Sequence, residues 1–511
     1  MLAYPSGKAS DNGWLGRCGK ALTIDDQKPD KLSADLVKSC RDVSELRSNS
    51  TRRSSPTRIA AFVHERLHGP FARLAAQTFL TSILVALAYL ASGLLIARAL
   101  GPSGRGAFTA LTVIAIMIAW VFAIGSTQTI TYFQARDADP RLGVLSTWLL
   151  LAIPLSAIAL VVSELLLPTL LAAQPPRTLE LGRVFMITVI VLLYTELFLG
   201  SLLGLHRFAF YNALRAGVPT VITLLYASLW AFHRLTIETA LATYGAIQLI
   251  SLVVLAVATL RRYDLSRFSI RTAKETSWYG IRARGAELGN LVNARFDLFI
   301  MPAFLSASSV GLYSVSASMS YTVFLLSSSL ATVILPVATR RGQAGTQTIT
   351  RSLQVTLVSG VAMGIVLMPG AELAVRVVYG ADFLGSVAPF RILLPGAVLY
   401  GGAQILIAGL HSINRPFTAT VVQGIGVIIT VPGLLLFMPV GGITAAAIVS
   451  TVAYSVVFLF GLVAYKRCAG IAWCDFVPNR PLHGLRRGHH PAENLSCNAP
   501  DSVTHRAEEV G

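Results

Sequence analysis

The sequence predicts an all-α integral membrane protein: about twelve transmembrane helices in two six-helix lobes, with disordered polar tails. Three observations carry this expectation. The 511 residues are 54% hydrophobic and only 13% charged, about half the charge of a soluble domain. Apolar runs long enough to cross a bilayer recur from residue 75 to residue 465. Short motifs also recur at a constant displacement along the chain.

Residues 1–70 are rich in Ser, Lys, Arg and Asp, as in "SNSTRRSSPTR" (Ser48–Arg58). They contain no apolar stretch of signal-peptide type and predict a disordered cytoplasmic tail. A spanning helix needs ~20 mostly apolar residues. Runs that satisfy this lie near 75–98, 107–129, 143–168, 183–204, 212–232, 239–260, 285–305, 311–338, 353–375, 387–410, 417–438 and 442–465. The first six make an N-lobe over 71–260 and the last six a C-lobe over 285–466. A basic cytoplasmic linker, 261–284, joins them, placed either on the lipid surface or in water. Residues 467–511 form a second polar cytoplasmic tail. Its "RRGHH" (Arg486–His490) lacks any further ligand pattern and predicts no metal site. The five cysteines all lie in the tails without a CxxC pair, so free thiols are expected rather than a disulfide framework.

The net charge of +17 would suit a nucleic-acid-binding protein, but the basic residues do not form one folded face. They sit in the tails and in short loops between apolar runs, as the positive-inside rule produces. One set of alternate loops holds Arg136, Arg141, Arg207, Arg215, the linker cluster, Arg340, Arg341, Arg351 and Arg415. It carries roughly twice the Lys and Arg of the other set. Both termini are therefore expected in the cytoplasm, which an even number of spans satisfies.

"LGPSGRGAF" (Leu100–Phe108) matches "LSASSVGLY" (Leu305–Tyr313) at Leu100/Leu305, Ser103/Ser308, Gly106/Gly311 and Phe108/Tyr313. "GLH" recurs at Gly204–His206 and Gly409–His411 with the same displacement of 205 residues. The pairs follow equivalent spans, the first and seventh and the fourth and tenth. Two parallel halves of this kind are a transporter architecture, with the substrate site between them.

These residues also resemble a known family. "ARALGPSGRGAFTAL" (Ala97–Leu111), "FDLFIMPAFLSASSVGLYSVSASMS" (Phe296–Ser320), "ILPVATR" (Ile334–Arg340) and "VYGADF" (Val378–Phe383) are similar in order and spacing to the polysaccharide transporter, Wzx-like, branch of the multidrug/oligosaccharidyl-lipid/polysaccharide (MOP) exporter superfamily. The resemblance covers roughly residues 75–465. It implies a MATE/MOP flippase-like fold, two six-helix lobes around a V-shaped lumen. It implies a flippase that translocates an undecaprenyl-diphosphate-linked sugar across the bacterial inner membrane for cell-surface polysaccharide biosynthesis. The implied partners are the lipid-linked glycan, membrane lipids and the envelope glycan polymerase or glycosyltransferases, with no nucleic acid.

Ionisable residues inside spans cost ~2.5–3.5 kcal/mol each at a helix centre, and the seventh span carries the most. At ~100° per residue, Glu287, Asn290, Asn293 and Asp297 fall within about 120° of arc. Arg284 and Arg295 lie on a different face, so Arg295 and Asp297 do not pair within the helix. Given the implied diphosphate, Arg295 is the first candidate for its counter-charge, because the guanidinium fork fits phosphate oxygens; an interhelical ion pair is the alternative. Asn290 and Asn293 are expected beside it in the lumen. Asp297, Glu287 and Glu196 (in "LLYTELFLG") are candidates for a coupling proton or cation, or for ion-pair partners. The first-half counterparts of Arg295 and Asp297 are Leu90 and Ser92, so the site is expected to be asymmetric. Arg98 and Arg105 are candidates for the outer mouth or for snorkelling to headgroups. His206 and His411 are interfacial candidates at the cytoplasmic entrance.

No P-loop, GxSxG or HExxH motif occurs. The expectation is a secondary transporter with no cofactor, run by an ion, potential or substrate gradient. The rivals are a cation-coupled multidrug antiporter of the same superfamily, which should prefer an acidic lumen, and a membrane glycan polymerase or ligase, which needs a large outer loop.

Overall fold

The computed structural model describes residues 70–123, 125–137, 143–261, 269–283, 285–321, 343–471 and 473. The expectations for the tails, for most of the connection 262–268 and for the second part of the eighth span fall outside these residues. Among the described residues all regular structure is helical. In chain order the helices are α1 (Pro70–Phe122), α2 (Ser126–Asp137), α3 (Gly143–Leu170), α4 (Pro176–Phe185), α5 (Thr188–Gly204), α6 (Phe208–Ala231), α7 (Ile237–Leu260), α8 (Ile270–Ala283), α9 (Gly285–Phe304), α10 (307–321), α11 (Gln343–Val378), α12 (Val387–Ser412) and α13 (Pro416–Ala469). A 3-10 turn, Ala381–Ser386, precedes α12.

Two helices each contain two spans. At ~1.5 Å per residue the 53 residues of α1 would run about 80 Å, far more than a ~30 Å hydrocarbon core. Gly101 takes φ 65°, ψ −173°, and the chain folds back there. Arg105 Nη1 donates to Gly93 O at 2.9 Å, a reach no straight helix permits over twelve residues. Gly442, at φ 59° and ψ −145°, does the same in α13, where Gly433 lies against Val449. Positive φ with an extended ψ is a conformation essentially confined to glycine, which is why glycine stands at both corners. The first, second, eleventh and twelfth spans follow from these two hairpins. The fourth span is α4 plus α5.

Among the described residues, eight segments are long and apolar enough to cross a membrane. Their outward faces carry exposed Leu84, Val161, Leu165, Leu224, Ile365, Ile428 and Leu436, the surface that lipid solvates. Helix α12 is instead apolar all round and is buried on nearly every side, as an all-apolar helix inside a bundle should be. It forms the axis of the C-lobe, against α11 and α13.

The predicted repeat is visible in the packing. A Cβ on Gly106 would overlap Ala307 O and lie 2.8 Å from Gly311 N, and a Cβ on Gly311 would overlap Pro102 O. Each contact is the other displaced by 205 residues, so the two halves cross here about a local two-fold axis.

The second motif pair has a different fate. Arg207 N donates to Leu202 O and Arg415 N to Leu410 O, both at 2.9 Å. Both bonds close a helix C-terminus in the same way, with left-handed His206 (φ 56°) and Asn414 (φ 59°) before them. The structural equivalents are thus His206 and Asn414, 208 residues apart. His411 lies within the last turn of α12, three residues early. We expect His206→Gly to raise the thermal stability of the purified protein by about 1 kcal/mol, read as an increased Tm, because it relieves this left-handed strain.

Candidate substrate cleft and distal closure

The polar stripe of α9 is where the sequence places it, and its side chains are engaged with neighbouring helices. Gln128 of α2 donates to Glu287. Asn290 Oδ1 accepts from Tyr400 OH at 2.7 Å and Gln404 Nε2 at 2.9 Å. Asn293, 1% exposed, donates to Gln423 O and Oε1 at 3.0 and 2.9 Å and accepts from Thr430 at 3.1 Å. Asp297, 4% exposed, accepts from Tyr313 OH at 2.6 Å and from Leu298 N at 2.7 Å, with Ser450 Oγ at 3.5 Å. The stripe thus fastens α9 to α10, α12 and α13. Interhelical hydrogen bonds in membranes contribute ~0.6 kcal/mol on average, whereas bonds to a charged acceptor contribute ~1.5–3 kcal/mol. Tyr313→Phe should therefore lower stability by about 1–3 kcal/mol, seen as a decreased Tm.

Arg295 leaves the helix on a different face and lines a small cleft with Asp297, Ser320, Tyr321, Tyr400 and Tyr454. Its guanidinium lies over the Tyr321 ring, 5.0 Å from the centroid. Among the described residues no carboxylate forms an ion pair with it. Tyr400 and Tyr454 stack with centroids 4.5 Å apart. The Oγ of Ser320, buried on the cleft wall, has no hydrogen-bond partner among the described residues. A buried polar atom of this kind normally has one. The cleft therefore offers a guanidinium, the Asp297 carboxylate in its wall, aromatic faces and the Ser320 hydroxyl.

At the end of the bundle away from the two tails, the halves are locked together around the Gly106–Gly311 crossing. Arg98 donates to Val378 O at 2.7 Å and to Val377 O, the last carbonyls of α11. Gln174 donates to Pro302 O and Leu305 O at 3.2 and 2.7 Å, closing the end of α9. These carbonyls have no partner within their own helices, and Arg98 also meets the negative end of a helix dipole. Arg105, 8% exposed, donates to Ser314 at 3.2 Å and Ser318 at 3.5 Å as well as to Gly93. Ala97 packs with Val375, Tyr379, Phe383 and Phe390 beside it. Arg98 and Arg105 thus both hydrogen-bond across from the first half to the second. Sequence reasoning left Tyr454 and Ser314 unassigned; the glycine of the repeat was the available signal for the crossing.

A family model described as "Polysaccharide biosynthesis protein" matches residues 95–388, more than half of the sequence. The chain belongs to this family. The matched segment contains both crossing glycines and Arg295, and ends before Tyr400 and Tyr454. No curated protein matches the sequence.

Solved structures show which fold the family member adopts here. It is similar to the lipid II flippase MurJ in an inward closed conformation, with a TM-score of 0.64 at 14% identity over 77% of this chain and 87% of that one. It is also similar to an inward-facing multidrug resistance MATE transporter of the MOP superfamily, with a TM-score of 0.61 at 13% identity over 78% and 98%. An outward-facing MATE structure scores 0.51 at 14% identity over 78% and 95%. The fold is thus the one these transporters share.

The remaining site candidates are dispersed. Glu196 accepts from Thr127 Oγ1 at 2.7 Å on the α2–α5 packing surface. His206 and His411 are exposed at the ends of α5 and α12. The structure brings Arg295 and Asp297 to one cleft, places Asn290 and Asn293 in its supporting helix contacts, and leaves Glu196, His206 and His411 elsewhere.

Proposed function

We propose that this family member is a flippase that translocates a lipid-linked oligosaccharide, of the undecaprenyl-diphosphate-sugar class, across the bacterial inner membrane by alternating access. The observation that carries this reading is Arg295: a cleft-facing guanidinium with no carboxylate partner among the described residues. Such a cation in a low-dielectric cleft suits an anionic substrate, and its fork suits paired phosphate oxygens. Ser320 and the tyrosines supply donors and ring faces for the sugar next to it.

In this reading the tails lie in the cytoplasm, following the bias of basic loops. The headgroup reaches Arg295 from that side while the lipid tail stays in the bilayer. The Arg98, Gln174 and Arg105 contacts then open and others form on the cytoplasmic side. Asp297, in the cleft wall, is the acid through which a cation or proton gradient would couple; Glu287 and Glu196 do not line the cleft. The enzymes that build and polymerise the glycan are the functional partners.

A multidrug antiporter on the same fold would present an accessible acid to a cationic drug. Asp297 is instead 4% exposed and hydrogen-bonded by Tyr313. The test is flipping in proteoliposomes. Reconstituted protein should move a labelled lipid-diphosphate oligosaccharide and not a cationic dye. Dye transport without glycolipid flipping would overturn the reading.

A further inference from the structure

We propose that the outward face of α8, the helix joining the two lobes, docks onto anionic phospholipid headgroups of the leaflet on the tail side of the bundle. This proposal is independent of what the cleft transports.

Helix α8 has two faces. One is fixed to the N-lobe: Trp148 Nε1 of α3 donates to Thr276 Oγ1 at 3.1 Å, and the Tyr279 ring stacks on Tyr132 of α2 at 4.9 Å and meets Phe133 edge-on at 5.5 Å. On the other face, Ile270, Lys274 and Trp278 recur every four residues and share about 80° of arc. Ile270 is 77% and Trp278 58% exposed. Arg271 flanks them, in an exposed pair with Glu275 at 3.2 Å.

Depth identifies the occupant. Counting ~20 residues per crossing from the corner at Gly101 and Pro102, the second span reaches the tail-side interface near Phe122, where α1 ends. Helix α2 continues beyond it, with the polar sequence STQTITYFQARD. The α8 contacts fall on Tyr132 and Phe133 of α2 and on Trp148, near the start of α3. Helix α8 therefore lies at headgroup level. An exposed tryptophan and isoleucine at that depth meet the acyl boundary, where tryptophan is enriched.

Charge selects the headgroup. The stretch 261–284 carries seven basic and two acidic residues. Each Lys or Arg near an anionic surface adds about 1 kcal/mol, roughly a fivefold preference. Because Arg271 is paired with Glu275, Lys274 is the larger contributor on the described face.

The test uses the full chain in phosphatidylcholine vesicles containing a minority of phosphatidylglycerol, with bromine on the acyl chains of one lipid or the other. Subtracting the fluorescence of Trp278→Phe from wild type isolates the Trp278 signal. Brominated phosphatidylglycerol should quench that signal several-fold more than brominated phosphatidylcholine at equal mole fraction, by about fivefold if one lysine governs it. Lys274→Gln should reduce the difference, and so should high salt. A Trp278 signal quenched by neither lipid would overturn the proposal by placing the face in water. Equal quenching by both would overturn it by removing headgroup recognition.

Discussion

Gly311→Val should lower transport by about tenfold to a hundredfold, because the distal end can no longer close. The added side chain would occupy the position of Pro102 O, a backbone atom that cannot rotate aside. Inserting atoms into a packed contact costs ~1–3 kcal/mol. Here that cost falls on one state of the cycle, since the contact joins the two lobes. Gly106→Val should behave alike, because Gly106 makes the symmetry-related contact with Ala307. Gly217→Ala, where a Cβ meets nothing within 4 Å, should leave transport unchanged. Spin labels at Ser103 and Ser308, both exposed at the distal end, read the state directly. The distance distribution should move to longer values in Gly311→Val. An unchanged distribution with lost transport would show that the crossing is not what closes this end.

Arg295→Ala is expected to lower both affinity for the lipid-diphosphate sugar and its flipping rate by roughly tenfold to a hundredfold, the range for losing charge-assisted hydrogen bonds of ~1.5–3 kcal/mol. Arg295→Lys should be intermediate, because it keeps the charge and loses the planar fork. Asn293→Ala makes a useful contrast. Its amide fastens α9 to α13, so it should reduce Tm with a smaller change in substrate affinity.

Much of the fold was legible because lipid imposes a simple rule. Among the described residues, ten of the twelve apolar runs fall in segments long and apolar enough to span, and four of these form two hairpins turning at Gly101 and Gly442. The displacement of 205 residues located the crossing of the halves, since Gly106 and Gly311 do meet. It misplaced His411, because three residues separate the motif from the helix end in the second half, and a short match cannot reveal that slip.

The site was legible in part. Helical periodicity separated Arg295 from the stripe of Asn290, Asn293 and Asp297, yet the structure brings Arg295 and Asp297 to one cleft. Periodicity could not say which face met another helix. The partners Tyr400, Gln423 and Thr430 come from spans far along the chain, and Tyr313 from the next helix. Arg98 and Arg105 were read from their place at a span end, as outer-mouth residues or headgroup anchors; their hydrogen bonds to α11 and α10 could not be read from that place.

The most direct measurement is equilibrium binding of one lipid-linked oligosaccharide, with and without its diphosphate, to wild type and Arg295→Ala in detergent. Wild type should prefer the diphosphate form by about tenfold or more, and Arg295→Ala should lose that preference. Equal binding of both forms by wild type, or an undiminished preference in Arg295→Ala, would contradict a cleft built around a phosphate-binding arginine.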